Sequence, residues 1–282
     1  MFTLNCKGRL LVIDEPIVMG ILNTTPDSFY EGSRMNDRDQ ILAKVEEMVT
    51  DGATIIDIGG QSTRPNSQRI SAEEELKRVL PFIEAITIRF PGIIISIDTF
   101  YANVAKEAVA AGASIINDVS AGTIDDRMFE TVASLEVPYV LMHMKGDPQT
   151  MQQNAGYENV TLEVFDFLSF KIKALHDLGV KDIIVDPGFG FGKTIDHNFQ
   201  LLHQLEIFKE LQKPLLVGLS RKATIYKTLG ITPEEALNGT TVVNTIGLLN
   251  GASILRVHDV KQARQAVQLV SKLKENGEGA LV

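Results

Sequence analysis

The sequence predicts an α/β protein folded as a single (β/α)8 TIM barrel with an N-terminal β-hairpin. Three observations predict this fold. Short apolar runs alternate with longer amphipathic stretches along the chain, which is typical of repeated βα units and a parallel sheet. The apolar runs number eight, and eight parallel strands close such a barrel. No linker-like break divides the 282 residues, so we expect one domain over residues 1–282. An open doubly wound sheet is the alternative.

The predicted elements follow one another in a regular order. An alternating segment from Phe2 to Ile13 predicts the hairpin. The predicted strands are residues 17–23, 55–60, 93–99, 114–120, 139–144, 182–188, 214–220 and 253–259. Apolar residues at spacings of three and four predict helices between them, most clearly over residues 37–52, 71–86, 157–179 and 259–277. Ser71, with Glu74 three residues later, predicts a helix N-cap.

Composition excludes several classes of protein. A formal net charge of -9 argues against a protein whose main ligand is nucleic acid, because phosphate-backbone binding requires a basic face. Cys6 is the single cysteine of the sequence, which is typical of a reducing compartment. The sequence has neither the pattern of a secretory signal peptide nor an apolar run long enough to span a membrane. We therefore expect a cytoplasmic protein.

Polar side chains cluster at the carboxyl ends of the predicted strands, which form the catalytic face of such a barrel. Asp98, Asn117, Asp186 and Lys222 follow four separate apolar runs. Carboxylates buried in this way require hydrogen-bond donors. The set offers carboxylates and an amide to a ring with adjacent N-H and carbonyl groups, and an ammonium to its oxygen or nitrogen. These residues therefore predict a site for a planar heterocycle, although a lone aspartate of this kind often caps loops.

A second set of strand-end residues is cationic. It consists of Arg64, Arg221, Arg256 and His258. Arginine presents a fork of donors that matches phosphate oxygens, so these residues predict an anion site. Arginines at strand ends also pair with nearby carboxylates, and Arg221 is the strongest candidate for that alternative. Asn23, at the first strand end, is a candidate Mg²⁺ ligand because Mg²⁺ beside a diphosphate takes few protein ligands.

Other motifs carry weaker signals. The segment "GFGFGK" (188–193) lacks the spacing of a phosphate-binding Walker loop. His143 has no second histidine at metal-ligand spacing, and we expect it to line the pocket or to be structural. No convincing nucleophile and base stand together, since Ser220 lies beside Arg221 and Lys222 and outside a G-x-S-x-G motif.

The sequence resembles the dihydropteroate synthase family. The segments that carry the resemblance are "MGILNTTPDSF" (19–29), "DIGGQSTRP" (57–65), "SIDT" (96–99), "INDV" (116–119), "MHMKGDPQTMQ" (142–152), "DPGFGFGK" (186–193), "GLSRK" (218–222) and "RVHDV" (256–260). They follow the family's order across nearly the whole chain, and the first and seventh are highly specific. The resemblance implies a TIM barrel, a transferase of folate biosynthesis and usually a homodimer.

The resemblance also implies a reaction and a set of site residues. Enzymes of this family join 6-hydroxymethyl-7,8-dihydropterin diphosphate to p-aminobenzoate, with Mg²⁺ assisting loss of diphosphate. The implied pterin contacts are Asp98, Asn117, Asp186 and Lys222, of which Asp98 and Lys222 are the implied catalytic residues. Diphosphate is assigned to Asn23, Arg64, Arg256 and His258, with Asn23 also the metal ligand. p-Aminobenzoate is assigned to Thr63, Pro65, Phe191, Ser220 and Lys222, which leaves Arg221 a supporting, carboxylate-pairing role.

Two loops on the catalytic face, after Asn23 and after Gln61, predict lids that order over diphosphate. This chain departs from the family pattern there, with Gln61 where glutamate is common and "DSFYEGS" (27–33) in the first loop. Two alternatives remain open. A pterin-binding methyltransferase shares the barrel and the Asp/Asn/Asp pocket but has no use for a diphosphate site. A non-catalytic pterin-binding relative is the other, and the presence of Asn23, Arg64 and Lys222 disfavours it.

Overall fold

Eight parallel strands form the barrel of this protein, whose computed structural model describes residues 1–24, 34–61, 69–146 and 156–278. The sheet order is β8-β7-β6-β5-β4-β3-β10-β9. An isolated parallel bridge between Val185 and Leu215 connects the two outer strands. The predicted TIM barrel is therefore confirmed, and the open doubly wound sheet is excluded as the architecture.

The elements have the following bounds. The strands are β1 (Phe2–Cys6), β2 (Arg9–Ile13), β3 (Ile17–Asn23), β4 (Ile55–Gly59), β5 (Ile94–Asp98), β6 (Ile115–Asp118), β7 (Tyr139–Met142), β8 (Ile183–Asp186), β9 (Leu216–Val217) and β10 (Ile254–Val257). The helices are α1 (Arg34–Thr50), α2 (Ala72–Arg89), α3 (Ala102–Ala111), α4 (Met128–Leu135), α5 (Val160–Asp177), α6 (Ile195–His203), α7 (Ala223–Leu229), α8 (Leu237–Leu249) and α9 (Val260–Glu278), with a 3₁₀ segment at Leu205–Leu211. None of the described helices is long and apolar enough to cross a membrane.

The predicted N-terminal hairpin is confirmed and covers the amino end of the barrel. Strands β1 and β2 pair antiparallel from Phe2↔Ile13 to Cys6↔Arg9. Lys7 and Gly8 both have positive φ, 54° and 83°, as a tight two-residue hairpin turn requires. The inward face of the hairpin packs on the first residues of the barrel strands, in a cluster of Leu4, Cys6, Leu11, Ile13, Ile17, Met19, Ile55, Ile94, Ile115, Val140, Ile184, Leu216 and Ile254.

Each of the eight predicted strands is present, and the differences lie at their ends. The largest concerns β9, which has two residues, Leu216–Val217, where seven were predicted. All of residues 214–220 are buried. Their apolar character therefore reflects burial, and only two of them lie in a strand. The N-cap prediction is confirmed, since the Ser71 hydroxyl accepts a hydrogen bond from the Glu74 N–H at 3.2 Å.

The strand register brings the polar residues to one level of the barrel. Gly59 of β4 is level with Asp98 of β5, and Asp98 is level with Asn117 of β6. Met142 of β7 is level with Asp186 of β8. Because parallel strands present their carboxyl ends on one side, these side chains gather on the face opposite the hairpin.

Candidate active site

A buried hydrogen-bond network forms the floor of the candidate site. Arg256 donates from Nε to Asp57 Oδ2 at 2.6 Å and from Nη2 to Asp98 Oδ2 at 2.5 Å. Asn117 donates from Nδ2 to the same Asp57 oxygen at 3.1 Å. Three strands thereby contribute one carboxylate or amide each, and the guanidinium from β10 connects the two carboxylates.

Asp57 belongs to this floor, and sequence reasoning left it out of the site. Its side chain is fully buried, and its Oδ1 atom has no hydrogen-bond partner among the described residues. The signal was present in the sequence, because Asp57 is a carboxylate inside an apolar strand and such a group requires a donor. The donor, Arg256, lies 199 residues away along the chain, so only the closed barrel reveals the pair.

Asp186 and Lys222 form the side of the pocket next to this floor. Asp186 accepts a hydrogen bond at Oδ1 from the Gly188 N–H at 2.7 Å. A methyl group at Gly218 would lie about 4 Å from Lys222 Nζ, Asp186 Oδ2 and the Arg256 Cβ, at 3.9, 4.0 and 4.0 Å. Glycine at this position therefore leaves open the space into which the three side chains converge.

Charge is unequally distributed in this pocket. Three carboxyl groups, those of Asp57, Asp98 and Asp186, face two cationic side chains, Arg256 and Lys222. Burial raises the pKa of Asp98, and the guanidinium of Arg256 opposes that rise. Burial likewise lowers the pKa of Lys222 to about 8, against the attraction of Asp186. The pocket is therefore suited to a ligand that donates hydrogen bonds or gains positive charge.

Arg221 and Lys222 serve different partners although they are neighbours. Arg221 has a φ of 53°, which lies in the left-handed region of backbone conformation. The chain turns at this residue, so the side chains of Arg221 and Lys222 point in different directions. The Arg221 guanidinium donates to Asp259 at 2.9 and 2.8 Å and to the carbonyls of Pro233 and Glu234. The predicted carboxylate-pairing role of Arg221 is confirmed.

The glycine-rich segment after β8 supplies the aromatic side of the pocket. Lys222 Nζ donates to the Phe189 carbonyl and lies 4.7 Å from the centre of the Phe191 ring. The Phe191 ring packs with Phe100, Val119 and Met142 in an apolar cluster on the catalytic face. This cluster offers a flat aromatic ligand an apolar wall beside the ammonium.

Residues predicted for diphosphate are spread between the floor and the rim. Arg256 lies in the floor with its two carboxylates, whereas Asn23 and His258 are exposed at the ends of their strands. His258 Nδ1 lies 3.0 Å from Ser220 Oγ, and the His258 N–H donates to the same hydroxyl at 3.2 Å. The predicted residues Thr63, Arg64 and Pro65 lie outside the described residues, as do most of both predicted lids, including Glu31.

Gln61, one departure from the family pattern, has a defined role at the base of the second loop. Its side chain is buried, and its Oε1 accepts a hydrogen bond from the Ile70 N–H at 3.0 Å. Either an amide or a carboxylate oxygen can accept this bond. The difference from glutamate therefore concerns charge and leaves this contact intact.

Glu75 of α2 is a fully buried carboxyl group behind the site. Its Oε2 accepts a hydrogen bond at 2.9 Å from the hydroxyl of Thr99, the residue that follows Asp98. Its Oε1 has no hydrogen-bond partner within the described part of the chain. Burial raises the pKa of Glu75 to about 8, so the folded protein keeps this group protonated at neutral pH.

Protonation of Glu75 predicts that stability falls as pH rises. An unfolded chain releases the Glu75 proton above about pH 4.5, whereas the folded chain retains it until about pH 8. Within this window each pH unit should cost up to about 1.4 kcal/mol of unfolding free energy. Urea unfolding of wild type and Glu75→Gln at several pH values in this window gives the unfolding free energy of each. This free energy should decline less steeply with pH in the variant.

Glu74→Gln is the matched control, since Glu74 lies on the same helix with its side chain 46% exposed. Its pH dependence should follow wild type. Parallel declines for wild type and Glu75→Gln would contradict a protonated Glu75 in the folded protein.

Comparison with known proteins agrees with this geometry. The family model described as pterin binding enzyme matches residues 19–258. The chain belongs to this family. Curated relatives include the dihydropteroate synthases of Escherichia coli strain K12, 42% identical over 96% of this chain and 97% of that one, and of Bacillus subtilis, 43% identical over 94% and 91%.

Solved structures of the family have the same fold. Dihydropteroate synthase of Xanthomonas albilineans with 4-aminobenzoic acid superposes with a TM-score of 0.90 at 40% identity, covering 96% of this chain and 98% of that one. The same enzyme in complex with 7,8-dihydropteroate gives a TM-score of 0.87 at 38% identity, with the same coverage. The relatives thus match this chain over nearly its whole length.

Proposed function

We propose that this protein catalyses the dihydropteroate synthase reaction. It joins 6-hydroxymethyl-7,8-dihydropterin diphosphate to p-aminobenzoate and releases diphosphate and 7,8-dihydropteroate. The observation that carries the proposal is the group of buried Asp57, Asp98, Asn117 and Asp186 with half-buried Lys222 on the catalytic face of a barrel of this family. Solved relatives bound to 4-aminobenzoic acid and to 7,8-dihydropteroate support it.

The pterin ring occupies the floor in this proposal. Asn117 and the free Oδ2 side of Asp186 offer an amide and a carboxylate to the edge of the ring. Lys222 donates to a ring oxygen or nitrogen. The carboxyl groups of the pocket complement the ring N–H groups, because buried carboxylates require donors.

The same charge distribution favours the bond-breaking step. Cleavage of the C–O bond to diphosphate leaves positive charge on the pterin methylene carbon. Asp98 and the neighbouring carboxylates stabilise that charge as it develops. The amine nitrogen of p-aminobenzoate then forms the C–N bond and loses a proton, so the reaction requires no side-chain nucleophile.

Mg²⁺ is the cofactor in this proposal, and Asn23 is its ligand. Among the described residues no group of three His, Cys, Asp or Glu side chains forms a cage for a metal ion. An exposed amide oxygen at a strand end suits Mg²⁺, which keeps most of its waters and takes its other ligands from phosphate. When bound, the ion would neutralise charge on the departing diphosphate. Arg64 and His258 are proposed as further diphosphate contacts.

p-Aminobenzoate binds above the pterin in this proposal, between Phe191 and Ser220, with Lys222 in contact with both substrates. Phe191 supplies a ring face, and Ser220 supplies a hydroxyl that is already oriented by His258. Thr63 and Pro65 are proposed to complete this site.

The decisive experiment measures diphosphate release by the purified protein. Release should require p-aminobenzoate, the pterin diphosphate and Mg²⁺ together, and 7,8-dihydropteroate should accumulate in equal amount. Release without p-aminobenzoate, or none at all, would reject the proposal. Methyl transfer from methyltetrahydrofolate to a corrinoid protein, measured alongside, would instead support the methyltransferase alternative.

We also propose that the protein is a homodimer of the cytoplasm. Val242, Ile246 and Leu249 recur on one face of α8 at spacings of four and three, and all three are exposed. Leu269 and Leu273 are exposed on α9, the helix that packs against α8. Exposed apolar side chains on adjacent helices indicate a protein interface.

The dimer has a direct test in solution. Val242→Glu should convert the dimer to a monomer in analytical ultracentrifugation, because it buries a charge in the apolar interface. Phe170→Glu is the control, since Phe170 is an exposed apolar residue of α5. A wild-type protein that sediments as a monomer would reject the interface.

A further inference from the structure

Lys193 is a buried cation that the proposed reaction does not use. The residue is 3% exposed, and its side chain lies beneath the glycine-rich segment 188–192. Nζ donates to the carbonyl oxygens of Gly188, Phe191 and His143 at 2.8, 3.1 and 3.3 Å, and lies 2.9 Å from His143 Nδ1. The salt bridges among the described residues do not include it. A buried ammonium is therefore bound by three backbone dipoles and one imidazole.

The surroundings of Lys193 define the state of both side chains. An ammonium group can only donate, so a charged Lys193 requires the lone pair of His143 Nδ1 and places the imidazole proton on Nε2. Burial lowers the pKa of His143 to about 2, and the charge of Lys193 acts in the same direction. Burial also lowers the pKa of Lys193 well below its ordinary value, and the charge of Lys222 acts in the same direction, whereas the Asp186 carboxylate raises it. Lys193 and His143 are thus a buried hydrogen-bonded pair in which the imidazole is neutral.

The segment above Lys193 is packed directly on backbone. A Cβ atom at Gly188 would lie 1.8 Å from the His143 carbonyl oxygen, and one at Gly192 would lie 2.4 Å from the Lys145 carbonyl oxygen. Both glycines have positive φ, 72° and 65°, which other residues rarely adopt. Lys193 donates to carbonyl groups on both sides of the Gly188 contact, those of Gly188 and His143.

The outer side of the same segment faces the substrates. The Phe189 carbonyl accepts a hydrogen bond from Lys222 Nζ, and the Phe191 ring lies beside the same ammonium. Lys193 binds the carbonyl of Phe191 itself. Lys193 therefore binds the backbone of the residue that carries the ring, two residues from the carbonyl that anchors Lys222.

We propose that Lys193, oriented by His143, is a positioning residue for the p-aminobenzoate half of the site. It holds segment 188–192 in one conformation, so that Phe191 and Lys222 meet the aromatic amine together. The proposal rests on the function proposed above. It differs from a purely structural role, because it assigns the effect of Lys193 to one of the two substrates.

Steady-state kinetics of Lys193→Met tests this assignment, since methionine keeps the length of the chain and removes the donor. The KM for p-aminobenzoate should rise at least about tenfold and kcat should fall, because misplaced groups lose much of their effect. The KM for the pterin diphosphate should rise less than the KM for p-aminobenzoate, because Asp57, Asp98, Asn117 and Arg256 of the floor do not contact Lys193. Lys7→Met, which removes an ammonium bound to the Val109 carbonyl near the hairpin, should match wild type.

His143→Leu provides a second variant if Lys193→Met does not fold, because leucine removes the Nδ1 acceptor and leaves Lys193 its carbonyl acceptors. It should show the same selective rise in the KM for p-aminobenzoate. Equal changes in both KM values, or loss of thermal stability with unchanged KM values, would overturn the positioning role. Failure of wild type to form product would instead reject the proposed function, so the two failures are distinguishable.

Discussion

Replacing Lys222 with alanine should reduce kcat/KM for condensation by about 100- to 1000-fold, the usual effect of removing a preorganised donor. The Lys222 ammonium contacts the Phe189 carbonyl and the Phe191 ring, and it faces Asp186 across the space left by Gly218. Both substrates meet at this position in the proposed reaction. Stability should change less than activity, because the ion pairs of the floor are made by Arg256, so the loss of Lys222 leaves both of them intact.

The pH profile separates a catalytic Lys222 from a structural one. Because burial lowers its pKa to about 8, wild-type kcat/KM should fall above about pH 8 as the free enzyme loses this proton. Lys222→Ala should lack that decline. Lys227→Ala, an exposed lysine on the same helix, is the matched control and should retain wild-type activity. Near-normal condensation by Lys222→Ala would mean that the ammonium contacts neither substrate.

Asp57→Asn should lower both stability and activity, and it carries the second-largest expected effect. Arg256 would lose its charged partner at Nε and keep only Asp98, at a cost of about 3 kcal/mol, typical of breaking a buried ion pair. With only Asp98 as a charged partner, the Arg256 guanidinium should shift toward it and move that carboxylate. Displacement of a reacting group by about 1 Å lowers kcat about a hundredfold, so a loss of this size is expected.

Asp125→Asn is the control for this experiment. Asp125 is also buried and ion-paired, with Arg127 at 3.0 Å, but it lies outside the floor network. Urea unfolding and diphosphate-release rates should be measured for both variants. Activity equal to wild type in Asp57→Asn would show that the floor network is structural only.

The sequence was sufficient for the fold and for much of the pocket. Apolar periodicity located eight strands, and the polar residues that follow them identified Asp98, Asn117, Asp186 and Lys222. The four residues share one face because strand ends of a parallel barrel must meet there, whatever the loops between them do, and their roles toward substrate stay predictions.

Side-chain pairs between residues that are distant along the chain could not be predicted from the sequence. Arg256 was assigned to diphosphate, and that role stays a prediction, but its position between Asp57 and Asp98 depends on the circumference of the closed barrel. The final residue of "GFGFGK" was compared with phosphate-binding loops, whereas Lys193 turns inward to carbonyl groups. Spacing describes which residues are near in the chain, and it does not describe which acceptors a long cationic side chain reaches.

The hairpin at the amino end of the barrel restricts ligand access to the opposite end. Its apolar face closes one end, so ligands enter and leave through the opposite mouth. Asp57 at the bottom is fully buried, while Asn23 and His258 at the mouth are exposed. In the proposed reaction the pterin therefore enters ring first with its diphosphate trailing outward, and p-aminobenzoate arrives only after the deeper position is filled.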